Sequence, residues 1–184
     1  ESYIGSSAFY GALLDRRAGT INPMGYCRGL ARVAIAAGAL ISIGARAKKL
    51  QQETGLWRVI TNKGTLMARN VVLGTNAYTD DLWPGLKYSF TKINYFQLAT
   101  SPLGDRIKHI LPQQQGLWDT GKIMFSLRRD DSERLIIGSM GNVMGNQSGG
   151  VSHRWAQKKL AHLFPELGRV GFDEAWQGQI AMTP

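Results

Sequence analysis

The chain has 184 residues, 43% of them hydrophobic, a formal net charge of +9 and a single cysteine, Cys27. That length suits one ordinary domain or pieces of two, and the apolar content excludes a disordered chain. One cysteine excludes an internal disulfide and a multi-cysteine metal site, and points to a reduced, cytoplasmic setting.

The longest apolar run, residues 33–43, is interrupted by Gly38 and Ser42. It falls short of the ~20 residues that span a bilayer, so no membrane partner is expected. Glu1-Ser2-Tyr3 shows neither the basic start nor the apolar stretch of a signal peptide, and without an initiator Met the chain is expected to begin after the natural start. The positive charge is scattered. Arg46, Lys48, Lys49, Arg58, Lys63 and Arg69 spread over one hairpin, and Arg128, Arg129 and Arg134 interleave with Asp130, Asp131 and Glu133. Trp57 alone is no base-stacking platform, so no nucleic-acid partner is expected. A non-catalytic basic module for an anionic partner stands as the alternative to an enzyme.

In chain order, residues 8–15 (AFYGALLD) read as a short strand, followed by a turn through Arg16, Arg17, Ala18 and Gly19. Asn22-Pro23 supplies a helix start, with Asn as N-cap and Pro at the first helical position. The helix runs to about Ala37, with Tyr26, Leu30, Val33, Ala34 and Ala37 on one face and Arg28 and Arg32 on the other. Gly38 ends it. Gly29 within it points to close packing on a sheet. Strands are predicted over residues 40–43, 46–51, 56–61 and 65–74, with turns at Glu53-Thr54-Gly55 and Asn62-Lys63-Gly64. The last of these strands, through Val71, Val72 and Leu73, reads as buried on both faces.

The texture changes near Trp83-Pro84-Gly85. Residues 88–100 read as a long strand, with Ile93, Tyr95, Gln97 and Ala99 on one face and Phe96 and Leu98 on the other. A short helix follows over residues 103–111. Residues 122–128 and 134–140 alternate around a charged turn and form an antiparallel hairpin. Ser152 caps a helix that Pro165 terminates. The fold class is α+β, mixed α/β.

No metal site is expected, because His109, His153 and His162 lie far apart and in no ligand pattern. No GxSxG occurs, and Cys27 sits on a helix without a nearby His, so no catalytic nucleophile stands out. The glycine-rich stretch 138–145 (GSMGNVMG) lacks the ending of a P-loop and the spacing of a dinucleotide fingerprint. It reads as a loop beside a pocket, where glycine lets backbone approach a ligand. Arg128 has two readings, a bidentate carboxylate clamp or a solvated hairpin arginine. The turn at Gly74, Thr75, Asn76 and Ala77 also has two, a plain corner or a place where a phosphate-bearing ligand meets backbone.

Several segments together resemble one family. GALLDRRAGTINPMGYCRGLARVAIAAGALI, WRVITNKGTLMARNVVLGTNAYTDDLWP, RLIIGSMG and the closing WQGQIAMTP are similar, in order, to stretches of the FAD-dependent D-amino-acid-oxidase-type superfamily. The nearest sub-type is the γ-glutamylputrescine oxidoreductase-like group, beside glycine and sarcosine oxidases. The resemblance implies part of an FAD-binding domain plus a mostly antiparallel substrate-binding sheet with flanking helices. It implies four segments: 1–22 as a substrate-domain strand and connection, 23–85 as partial FAD-binding domain, 86–172 as substrate sheet, and 173–184 as the return to the FAD side. FAD contacts fall on Gly74, Thr75, Asn76 and Ala77 at the pyrophosphate and ribose, and on Ala47 near the adenine end. The implied partner is a small amine or amino-acid substrate, for which Arg128, Tyr95, Gln97 and Met140 are the candidate contacts. No residue is assigned to the chemical step itself.

Three departures accompany it. The strand-GxGxxG-helix that grips the dinucleotide is missing, as is the later glycine-rich segment that reaches the flavin. Ile136 stands near a position where relatives carry a lysine that assists oxygen reduction, which opens the way to a dehydrogenase. The 184-residue piece alone is therefore expected neither to retain FAD nor to turn over substrate, and to self-associate through uncovered apolar surface.

Overall fold

The computed structural model describes residues 3–143 and 150–183. It divides into two units, one of Glu1–Asn22 with Ile93–Gly178 and one of Pro23–Lys92 with Gln179–Pro184. Among the described residues the architecture is mixed α/β, with a three-stranded and a five-stranded sheet and two α-helices.

The five-stranded sheet is built on period-2 alternation. Its strands are β4 (Thr91–Thr100), β5 (Leu117–Trp118), β6 (Phe125–Arg129), β7 (Leu135–Met140) and β8 (Phe172–Met182), in the order β5-β6-β7-β4-β8. β7 is antiparallel to both β4 and β6, and β5 is antiparallel to β6. Phe96 and Leu98 of β4, Phe125 and Leu127 of β6, and Leu135 and Ile137 of β7 face the core. Helix α2 (Val151–Leu163) packs Ala156, Leu160 and Leu163 into the same cluster. Each Leu, Ile or Phe so buried stabilises the fold by roughly 1.5–3 kcal/mol. The alternate residues, Tyr95, Gln97, Ser126, Arg128 and Met140, stand half-buried on the opposite face.

The β6–β7 turn is held by one carboxylate. Asp130 accepts the N–H groups of Ser132 and Arg134, and its other oxygen takes Nε and Nη2 of Arg134 at 2.8 and 2.7 Å. Glu133 takes the left-handed conformation that closes the turn. Arg129 turns to the core side, where Nη1 donates to the carbonyls of Lys108 and Ile110.

In the other unit, β1 (Ala47–Glu53), β2 (Leu56–Thr61) and β3 (Gly64–Ala68) form an antiparallel meander. Thr54 and Gly55, both at positive φ, make the first turn. Helix α1 (Pro23–Ala36) ends in a Schellman motif, with Ala39 N–H on the Ala34 carbonyl and Gly38 N–H on that of Ile35. None of its residues is buried.

Several expected elements differ. Residues 8–15 and 40–43 form no strand. Neither stretch has a ladder partner among the described residues, and Gly38 and Gly44, both at positive φ, bend the chain around the second. β3 stops at Ala68, and Val72 is 91% exposed, so residues 71–73 are not a strand buried on both faces. β4 starts at Thr91 because a 3-10 turn occupies Leu86–Tyr88. Residues 103–111 hold only a 3-10 turn, Gly104–Ile107. Gly150, not Ser152, is the N-cap of α2; Ser152 lies inside the helix, where its hydroxyl donates to the Asn142 carbonyl. Residues 144 and 145 of the glycine-rich stretch lie outside the described residues.

Burial pushes the Asp130 carboxyl up, but the Arg134 guanidinium and the turn N–H groups outweigh it and hold it below the usual carboxylate range. A depressed folded-state pKa contributes stability above the unfolded value and loses it as pH falls through the folded one. Asp130→Asn keeps a turn acceptor but strips Arg134 of its counter-charge. It should cost about 1–2 kcal/mol at neutral pH, and the gap to the parent should shrink by about pH 3. Urea unfolding at the two pH values is the check; an unchanged gap would disprove the role of this carboxylate's charge.

Candidate functional site

The outer face of the five-stranded sheet brings the predicted substrate residues together. Tyr95 stands opposite Met140, and Gln97 opposite Gly138, which in turn faces Ser126. One step along, Arg128 pairs with Ile136 and Ile136 with Ala99. Four side chains read separately from the sequence therefore share one face of three adjacent strands. Gln97, Ser126 and Arg128 also line a cavity of about 630 Å³ whose remaining wall includes Phe9, Leu13, Leu14, Leu117 and Trp118.

Arg128 is half-buried, and its guanidinium has neither ion pair nor hydrogen bond among the described residues. Three other arginines of this unit are engaged. Arg129 is held by carbonyls, Arg134 by Asp130 and Arg106 by the Leu167 carbonyl. Of the cavity's two carboxylates, Asp15 is forked by Arg17, and Asp119 accepts the Phe125 N–H with Lys159 at 3.7 Å. An unpaired guanidinium beside an open cavity suits a planar anion bound through two N–H groups.

Sequence reading took Gly138 only as the start of a glycine-rich loop, whereas it lies within β7, and it did not single out Ser126. A Cβ on Gly138 would lie 2.5 Å from the Phe96 carbonyl oxygen and 2.6 Å from Gln97 Cδ, so the bare α-carbon is what lets Gln97 lie across β7. Ser126 Oγ stands 3.0 Å from the Tyr95 hydroxyl and fixes that ring. Its place two residues before Arg128, on the same face of a strand, was the available signal.

The other unit presents the predicted cofactor residues. Residues 76–78 form a 3-10 turn with Asn76 at φ 46°. Asn76 Oδ1 accepts the N–H groups of Ala77 and Ala181, and Tyr78 and Thr79 donate back to Thr75 and Asn76. The N–H groups of Gly74, Thr75 and Asn76 have no acceptor among the described residues, and nothing lies within 4 Å of the bare face of Gly74. Exposed, unclaimed backbone donors beside a glycine suit phosphate oxygens approaching from solvent, so the segment fits one wall of a dinucleotide site. Ala47, half-buried, opens β1 opposite Thr61. The adjoining Arg46 is tied to Asp80 at 2.9 Å, which holds the start of β1 to the segment after the turn. The tether from Asn76 to Ala181 had no sequence signal.

His109 pairs with Glu166 at 2.9 Å, and His153 is buried edge-on to Phe172. Among the described residues no group of three His, Cys, Asp or Glu could hold a metal ion, and no helix is long and apolar enough to cross a membrane.

The sequence profile of the family described as FAD dependent oxidoreductase matches residues 2–184. The probable oxidoreductase OrdL of Haemophilus influenzae is 26% identical over 188 residues, covering 100% of this chain and 42% of its own length. The gamma-glutamylputrescine oxidoreductase of Escherichia coli is 27% identical over 182 residues, covering 98% of this chain and 42% of its own. The chain thus spans about two fifths of these curated relatives. The crystal structure of glycine oxidase from Geobacillus kaustophilus superimposes with a TM-score of 0.63 at 18% identity, over 85% of this chain and 41% of that one, which shows a shared fold.

Gly138→Ala should force β4 and β7 apart and push Gln97 off the sheet face. A loss of about 1–3 kcal/mol is expected for such overpacking. Thermal unfolding measures it, and a variant as stable as its parent would remove the close approach from the account.

Proposed function

The chain belongs to the FAD dependent oxidoreductase family, and on that premise we propose that it forms the central portion of an enzyme oxidising an amine or amino acid. The observation that carries the proposal is Arg128, a half-buried cation without a counter-ion among the described residues, on the face shared with Tyr95 and Gln97. FAD, when bound, supplies at flavin N5 the acceptor for a hydride from the C–H beside nitrogen, leaving an imine that hydrolyses.

Arg128 holds a substrate carboxylate or amide through its planar fork. Gln97, lying over Gly138, offers a carboxamide that can donate and accept at the cavity floor. Tyr95, pinned by Ser126, and Met140 beside it shape the neighbouring surface. On the cofactor side, Gly74, Thr75 and Asn76 offer N–H groups to the pyrophosphate, Ala77 packs beneath them, and Ala47 meets the adenine end through backbone. Residues 23–85 act as part of the FAD-binding domain, 1–22 and 86–172 as the substrate side, and 173–184 as the return segment. The bond from Ala181 to Asn76 supports that last reading. The names of the E. coli relative and of the glycine oxidase structure support the substrate class. A cytoplasmic setting accords with the exposed thiol of Cys27.

Arg128→Lys in the full-length flavoprotein should raise KM for a carboxylate-bearing amine by tenfold or more, with a loss of ~2 kcal/mol in kcat/KM, because an ammonium cannot reproduce the fork. Steady-state kinetics test it; unchanged constants would return Arg128 to solvent.

The 184-residue chain alone should neither retain FAD nor reduce dye with amines. Gly74, Thr75 and Asn76 contact a phosphate from one side only, which leaves the ordering cost of a dinucleotide uncompensated. Its exposed α1 face, with Tyr26, Leu30 and Val33, should drive self-association. Dialysis with excess FAD, a visible spectrum and size-exclusion chromatography check this. A yellow, stoichiometric, active monomer is the contrary result.

A further inference from the structure

Polar side chains are spread around the whole cavity over the five-stranded sheet, and most of them are already engaged. Thr20 donates to the Gln114 carbonyl at 2.7 Å, Asp15 is forked by Arg17, and Asp119 accepts the Phe125 N–H. Gln115 donates to the Tyr3 carbonyl and accepts the Gln113 N–H, while Thr120 is exposed to solvent. Two neutral groups on the sheet floor differ. The Gln97 carboxamide is half-buried, lines the cavity and has no hydrogen bond among the described residues. The Tyr95 hydroxyl donates to Ser126 Oγ at 3.0 Å, and the proton of Ser126 has no acceptor among the described residues. Gln97 and Ser126 stand at one level of three adjacent strands, with only Gly138 between them. A Cβ on Gly138 would lie 2.7 Å from Gln97 Nε2, so the missing side chain is what leaves room for the carboxamide over β7.

We infer that Gln97 and Ser126 form a subsite for an amide group of the substrate, primary or secondary, which leaves Arg128 to an anion. This rests on the reading of the cavity as the substrate site and narrows it. A carboxamide presents donors and an acceptor in one plane. An amide returns the complement, with its N–H on Gln97 Oε1 and its carbonyl oxygen on Gln97 Nε2 or the Ser126 hydroxyl. An ester or carboxylate takes the donors but sets an oxygen lone pair against Oε1. An ammonium takes the acceptor and leaves the donors unused. Either mismatch strands a polar atom away from water, and that cost discriminates. Tyr95 does not itself line the cavity and is a positioning residue here. Its donation occupies a lone pair of Ser126 and leaves the serine proton for the cavity.

The test titrates the full-length holoenzyme with N-methylacetamide and with methyl acetate, its ester isostere, and follows the perturbation of the flavin absorbance. Acetate, titrated in parallel, probes Arg128. The amide should bind at least about tenfold tighter than the ester. Gln97→Leu, which keeps the bulk, should bring that ratio within about threefold, whereas general damage to the fold would weaken amide and ester alike. Ser126→Ala, a smaller change, should narrow the ratio too. Equal affinities in the parent protein, or a ratio that survives both substitutions, overturn the amide subsite, and the Arg128 reading then stands if acetate still perturbs the flavin. An amide preference without any response to acetate does the reverse. If none of the three compounds perturbs the flavin, both readings fall.

Discussion

Strand β7 lies between β4 and β6 with Gly138 opposite both Gln97 and Ser126, and that register decides which side chains meet the core and which meet the cavity. Side-chain direction along a strand has period two, so a slip of one residue would send Phe125 and Leu127 outward and carry Ser126 and Arg128 into the core. Burying an unpaired guanidinium there would cost several kcal/mol. The apolar core and the polar face thus enforce one register together. Asp130 clamps the turn that starts it, and the bare α-carbon of Gly138 sets how closely β4 can approach. Positioning of the candidate substrate residues is in this sense a by-product of packing. Tyr95, Gln97, Ser126 and Arg128 converge because their neighbours in sequence are buried.

The charge of +9 takes on a different meaning once partners are assigned. Arg46, Arg58 and Arg134 meet carboxylates, and Arg106 and Arg129 hold backbone carbonyls. These arginines join segments distant in sequence or close turns. What distinguishes Arg128 is its position: it shares a strand with Arg129, yet alternation gives one a structural acceptor and the other an open cavity. A basic module for an anionic macromolecule would instead need its free cations collected on one surface.

Much of this was legible where local physics dominates. The β6–β7 hairpin follows from alternation around a charged turn, and α1 from Asn22-Pro23 at one end and Gly38 at the other. Alternation alone put Tyr95 and Gln97 on one face, and the ordered motifs pointed to the family whose profile matches the chain. Failures came where an apolar run was taken for a strand. Residues 8–15, 40–43 and 71–73 have strand-like composition but find no ladder partner among the described residues, and a strand is a pairing before it is a propensity. β8 failed in the other direction: its sequence, FDEAWQGQIAM, is polar and lacks clean alternation, so nothing local announces eleven extended residues on the sheet edge. Gly138 could be read as a glycine near a loop, but its closeness to the Phe96 carbonyl depends on a strand some forty residues earlier.

The choice of arginine at position 128 carries one more consequence for the proposed enzyme. A half-buried lysine shifts its pKa with its surroundings and can lose its charge, whereas a guanidinium keeps it at any pH at which the fold survives. In the proposed enzyme the charge that would hold a carboxylate is therefore set by the choice of side chain, and its aim by the register of β6 against β7.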